Sequence, residues 1–86
     1  MADQVSNGGA TVQYVLNADD VDLIHLAHGS PPRDMNDPKP GDVFPGIVVR
    51  AWPGDLVNLQ VFLDGPVTHW ATSRPRGAGA QGTWSP

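Results

Sequence analysis

Between Phe44 and Ser73 apolar runs alternate with compact turn sequences, and this punctuation limits the available folds more than any other feature of the chain. Gly46–Trp52 carries the β-branched trio Ile47-Val48-Val49, which reads as a strand buried on both faces. Pro53-Gly54-Asp55 then supplies a tight turn. From Leu56 to Leu63 the pattern alternates Val57, Leu59, Val61 and Leu63 against Asn58, Gln60 and Phe62, as a strand with one core face does. Asp64-Gly65 opens the next turn, and Pro66 favours a loop somewhat longer than two residues. Thr68–Ser73 reads as the partner strand. The three segments predict an antiparallel meander.

The flanks extend this unit. Residues 1–10 lack periodicity and read as an arm. Thr11–Leu16 is β-branched and aromatic, suiting a first strand. Asn17 can cap a helix, Asp19 and Asp20 fall where the helix dipole favours acids, and Gly29 suits the residue after a helix end, so a short helix is expected from Ala18 to His28. Residues 30–42 contain Pro31, Pro32, Pro38 and Pro40 and form a stiff connector without a ladder. Residues 75–82 are a glycine-rich loop, and Thr83-Trp84-Ser85 returns as a short edge strand. The sum is a single domain over 1–86 of the all-β, or β-rich α+β, class. Its expected form is a small five-stranded antiparallel SH3-like barrel with one short helix after the first strand.

With 86 residues the chain can build one small core, and with no cysteine it has no disulfide or thiolate-zinc staple. Stability must then come from packing, a non-thiolate metal site or oligomerisation, and a homo-oligomer is expected. The nine acids are all aspartates, and they outnumber five cations to give a net charge of −4. That balance argues against duplex nucleic acid as a partner but leaves room for a small anion near Arg74 and Arg76. No apolar run reaches the roughly 20 residues of a membrane span. The first residues lack the basic start and apolar run of a secretory leader, so the expected compartment is the cytoplasm.

Motifs for catalysis are weak. His25, His28 and His69 have none of the paired spacings of a zinc site, and none of the serines lies in a strained elbow such as G-x-S-x-G. Gly77-Ala78-Gly79-Ala80-Gln81-Gly82 matches a dinucleotide fingerprint by letters but has no βαβ unit around it. Asp34-Met35-Asn36-Asp37 starts like a calcium loop but lacks its central glycine and final glutamate. No cofactor and no enzymatic activity are expected.

The aromatic residues are more informative. Trp52, Trp70 and Trp84 are enough to dominate a small core, and they are also the side chains on which a planar group can stack. Arg50, Arg74 and Arg76 could add charge, and the hydroxyls of Thr72 and Ser73 could fix orientation. Trp70-Ala71-Thr72-Ser73-Arg74 is the densest cluster, so the candidate ligand-binding set is Arg50, Trp52, Trp70, Thr72, Ser73, Arg74, Arg76 and Trp84.

The segments Phe44–Trp52, Val57–Gly65, Trp70–Ser73 and Gly82–Trp84, with Tyr14-Val15-Leu16 before an acidic helix start, resemble a widespread group of small uncharacterised tailed-phage and prophage proteins. The likeness runs over most of residues 12–86. The group usually ends with a second tryptophan and a proline after Thr-Trp, whereas this chain ends Trp84-Ser85-Pro86. The resemblance implies a viral origin and brings no mechanism. Joined to the aromatic-arginine cluster, it leads to an expected non-enzymatic phage binding module that sequesters a nucleotide-type signal at a subunit interface in the host cytoplasm. The alternatives are a virion component, such as a capsid decoration or connector protein, and an adaptor for a host protein that uses an exposed sheet edge.

Overall fold

The computed structural model describes residues 8–86. Its elements are β1 (Thr11–Val15), α1 (Ala18–His28), β2 (Val43–Trp52), β3 (Leu56–Phe62), β4 (Thr68–Arg74) and β5 (Trp84–Ser85). All five strands join one antiparallel sheet in the order β4-β3-β2-β1-β5. The meander is β2-β3-β4, and β1 adds to its other side with Thr11 opposite Ile47 and Val15 opposite Val43. Of the expected arm, residues 1–7 lie outside the described residues, while the Gly9 N–H donates to the Val48 carbonyl at 2.6 Å.

The sheet is open, and the closed SH3-like barrel expected from the sequence is not formed by the strand ladders. Edge strands β4 and β5 approach one another only beyond the end of β4. There Arg76 and Trp84 make an isolated parallel bridge, with Trp84 N–H on Pro75 O at 3.1 Å and Gly77 N–H on Trp84 O at 2.8 Å. A longer ladder is denied by β5 having two residues and by Pro75, which has no N–H to give.

Helix α1 starts at a reciprocal cap. Asn17 Oδ1 accepts from the Asp20 N–H at 2.8 Å, and Asp20 Oδ2 accepts from the Asn17 N–H at 2.9 Å. Two otherwise unpaired backbone donors are satisfied in this way. At the other end Gly29, with φ of 107°, donates its N–H to His25 O. The helix buries Val21 and Ile24 against Tyr14 and Leu16, the sheet residues Val48, Val57, Leu59, Val61 and Ala71, and Trp84. Full burial of such side chains contributes about 1.5–3 kcal/mol each, which makes this cluster the main source of stability.

One helix covers one face of the sheet. Of the trio expected to be buried on both faces, only Val48 is enclosed, whereas Ile47 and Val49 point to solvent.

Two bulges bend the sheet at the level of Asn58. Val49 is the extra residue on β2, where pairing shifts between Val48 and Arg50. On β4, Thr72 and Ser73 together oppose Asn58, since Val57 pairs with Arg74 and Leu59 with Ala71. Ser73 takes a left-handed φ of 54°. Asn58 Oδ1 holds the corner by accepting from Ser73 N–H at 2.8 Å and Trp52 Nε1–H at 3.1 Å.

Candidate functional site

The eight side chains singled out from the sequence divide between the two faces of the sheet. Arg50, Trp52 and Ser73 gather around Asn58 on the open face, with the Arg50 guanidinium 4.8 Å from the Trp52 ring centre. Trp70 and Thr72 are exposed on the same strand face. Trp84 instead fills the core at 1% exposure, its Nε1–H donating to Asp55 O at 2.9 Å. Arg76 lies over the Trp84 ring at 5.4 Å. Arg74 turns inward, because the bulged Ser73 shifts the alternation of β4 by one residue.

Arg74 meets a buried centre that the sequence reading did not assemble. Asp20 is 0% exposed and takes four donors. Oδ2 accepts from the Tyr14 hydroxyl at 2.6 Å and from the Asn17 N–H, while Oδ1 contacts His69 Nε2 at 2.8 Å and accepts from Arg74 Nη2 at 2.9 Å. A buried carboxylate is costly unless its lone pairs are occupied, and here both oxygens carry two partners. Burial alone pushes the Asp20 carboxyl upward. The hydrogen bonds from His69, Asn17 and Tyr14, with the charge of Arg74, outweigh it and hold the group below the ordinary carboxylate range. Tyr14 is pushed well above the usual phenol range, by burial first and then by its bond to Asp20 and that group's negative charge.

One sign of this centre was present in the sequence: Asn17-Ala18-Asp19-Asp20 has the spacing of a reciprocal cap. The long-range partners were not visible. His69 lies 49 residues away and Arg74 54, and Arg74 arrives only through a bulge.

The three histidines do not converge. His25 Nε2 pairs with Asp37 Oδ1 at 2.6 Å and ties the proline-rich connector to α1, whereas His69 belongs to Asp20. Among the described residues no cluster of three ligand-type side chains could hold a metal. No described helix is long and apolar enough to cross a membrane.

A cleft of about 400 Å³ opens between the C-terminal half of α1 and β4. Leu23, Leu26, Ala27 and His28 line it from the helix, and His69 and Trp70 from the strand. Leu26 is 84% exposed and shares the cleft with exposed Leu23 and Trp70, so the three form one patch. The lining contains no carboxylate, serine or cysteine, and the His69 Nε2 is already taken by Asp20. Its polar groups are the His28 imidazole and the Thr68 hydroxyl, and Leu23, Ile24, Leu26, Ala27 and Trp70 offer apolar contact. Asp19 and Asp22, both exposed, lie one helical turn before Leu23 and Leu26 and put negative charge next to them along α1. Comparison with family models, with curated proteins and with solved structures finds no match to this chain.

Proposed function

We propose that the chain is a non-enzymatic binding module that docks an apolar, positively flanked segment of a partner protein in the cleft between α1 and β4. The observation that carries this reading is the pairing of exposed Leu23, Leu26 and Trp70 around one cleft with the exposed acids one turn earlier on α1. A chain of net charge −4 attracts a basic partner, and desolvated aliphatic and aromatic anchors supply most of the affinity of such contacts. The likeness to small phage proteins makes a host protein the natural target of such an adaptor.

A nucleotide trap would rely on Arg74 and Trp84 being offered to a ligand. Arg74 is committed to Asp20 and Trp84 to the core, which favours the protein partner over the nucleotide. The strand order, with the short last strand returning to the first and a bridge from residues 75–77, supports reading the fold as an SH3-like barrel pinned at one point.

Selection of a random-peptide display library tests the docking site. Enriched peptides should combine apolar residues with Lys or Arg, and Leu26→Asp should weaken their binding about tenfold or more. Enrichment of acidic peptides, or binding indifferent to Leu26→Asp, refutes the assignment.

A further inference from the structure

The open face of the sheet is a second surface, distinct from the cleft. Across it run Ile47 and Val49 of β2, Phe62 of β3 and Trp70 of β4, with Trp52 at the end of β2, each 36–51% exposed. Their registers place them side by side: Thr11, Ile47, Gln60 and Trp70 form one row across four strands, and Phe62 lies opposite Thr68 in the next. Between them stand the uncharged polar side chains Thr11, Gln13, Asn58, Gln60, Thr68 and Thr72, so the face joins large apolar groups to neutral polar ones.

The charge pattern of this face is also distinctive. The chain has nine acids, yet Val43–Trp52, Leu56–Phe62 and Thr68–Arg74 contain none. Of the two cations on these strands, Arg74 is turned inward to Asp20 and Arg50 lies over Trp52. A basic partner would find nothing here to pair with, and an acidic one a single guanidinium. A copy of the same face brings no clash of acids, although the chains carry −4 each.

We propose that this face is the contact between two copies of the chain, packed sheet on sheet about a two-fold axis. Strands spaced ~4.8 Å apart with ~3.3 Å per residue make the four-strand face roughly 440 Å² in flat projection. That lies below the ~600–800 Å² per partner of a standard interface and belongs to the weak, transient class. The dimer is accordingly one that dissociates on dilution. Two-fold symmetry sets Ile47 and Phe62 near their own copies or each other's, so one substitution acts twice.

Sedimentation of the full chain over a wide concentration range tests the proposal, with Ile47→Lys and Phe62→Lys as variants at exposed positions that leave the core intact. The wild type should pass from its 9.1 kDa monomer to twice that mass, and each variant should raise the dissociation constant about 100-fold or more by placing like charges together. Emission from Trp52 and Trp70 should shift to the blue as the dimer forms. A monomer at every concentration overturns the proposal. A dimer that survives both lysines, or that Leu26→Asp abolishes, also overturns it, because the contact then lies elsewhere. Trp70 borders both surfaces and is left unchanged, so loss of peptide docking and loss of dimerisation are read separately.

Discussion

Replacing Asp20 by Ala should remove a large part of the stability of this domain. The substitution leaves four donors without their acceptor. Tyr14 is fully buried and the His69 side chain is 6% exposed, so neither can turn to water. An unsatisfied buried donor costs about 1–3 kcal/mol. Arg74, at 23% side-chain exposure, can recover solvent and adds little. Loss of the acid half of the cap at Asn17 adds about 1 kcal/mol. The sum is about 3–7 kcal/mol, whose lower half is the range seen when one partner of a buried ion pair is deleted. At ~0.05–0.15 kcal/mol per residue, an 86-residue domain holds only about 4–13 kcal/mol in total. Urea unfolding followed by tryptophan emission measures the loss. With a slope of ~1–1.5 kcal/mol per molar, the midpoint should fall by roughly 3 M, while Tyr14→Phe, which removes one donor and leaves the carboxylate paired, should cost about 1 kcal/mol. An Asp20→Ala cost below about 1 kcal/mol at unchanged slope would refute the claim that this carboxylate organises the interior.

Stability should also depend on pH from both ends. The unfolded Asp20 takes up a proton near the ordinary ~3.9, whereas the folded group resists protonation, so its contribution is present above that pH and is lost as pH falls below about 4. The raised Tyr14 contributes fully below the unfolded phenol value of ~10 and is lost above it, and since the chain has one tyrosine, Tyr14→Phe should flatten that alkaline limb in the same unfolding titration. Gly77→Ala should loosen the bridge to β5, because the added Cβ would lie 2.5–2.7 Å from three atoms of the Thr83 side chain. The expected cost is about 1–3 kcal/mol with a weakened near-ultraviolet signal from Trp84, and adding Thr83→Gly should return part of it.

The meander and helix were legible because their signals are local. Turn residues at Pro53–Asp55 and Asp64-Gly65, alternation in Leu56–Leu63, and a cap at Asn17 each act within a few positions. The site was legible only in part. Trp70, Thr72, Ser73, Arg50 and Trp52 do share a face, which strand alternation implies. Trp84 and Arg74 resemble them in type, yet their burial depends on contacts made across the whole chain. The inward turn of Arg74 depends on a bulge that leaves no mark in residue types, since serine is not a residue that announces a left-handed backbone. Ile47 and Val49 misled for a related reason: β-branched runs report strand formation, but whether a second layer covers the strand is a property of how many helices the chain supplies.

The extra residue at Ser73 fixes the parity of β4. Counting from His69 and Ala71, which face inward, Arg74 would face outward in a regular strand, and the inserted position makes it even with them. Removal of one residue between Ala71 and Arg74 would straighten the strand and leave Arg74 two positions from Ala71, still facing inward, whereas regular pairing at the present length would send the guanidinium to the opposite face and leave Asp20 without its cation. Parity, more than composition, is the quantity this strand must preserve, and a family of such chains should hold either two residues with the bulge or one without it between Ala71 and Arg74.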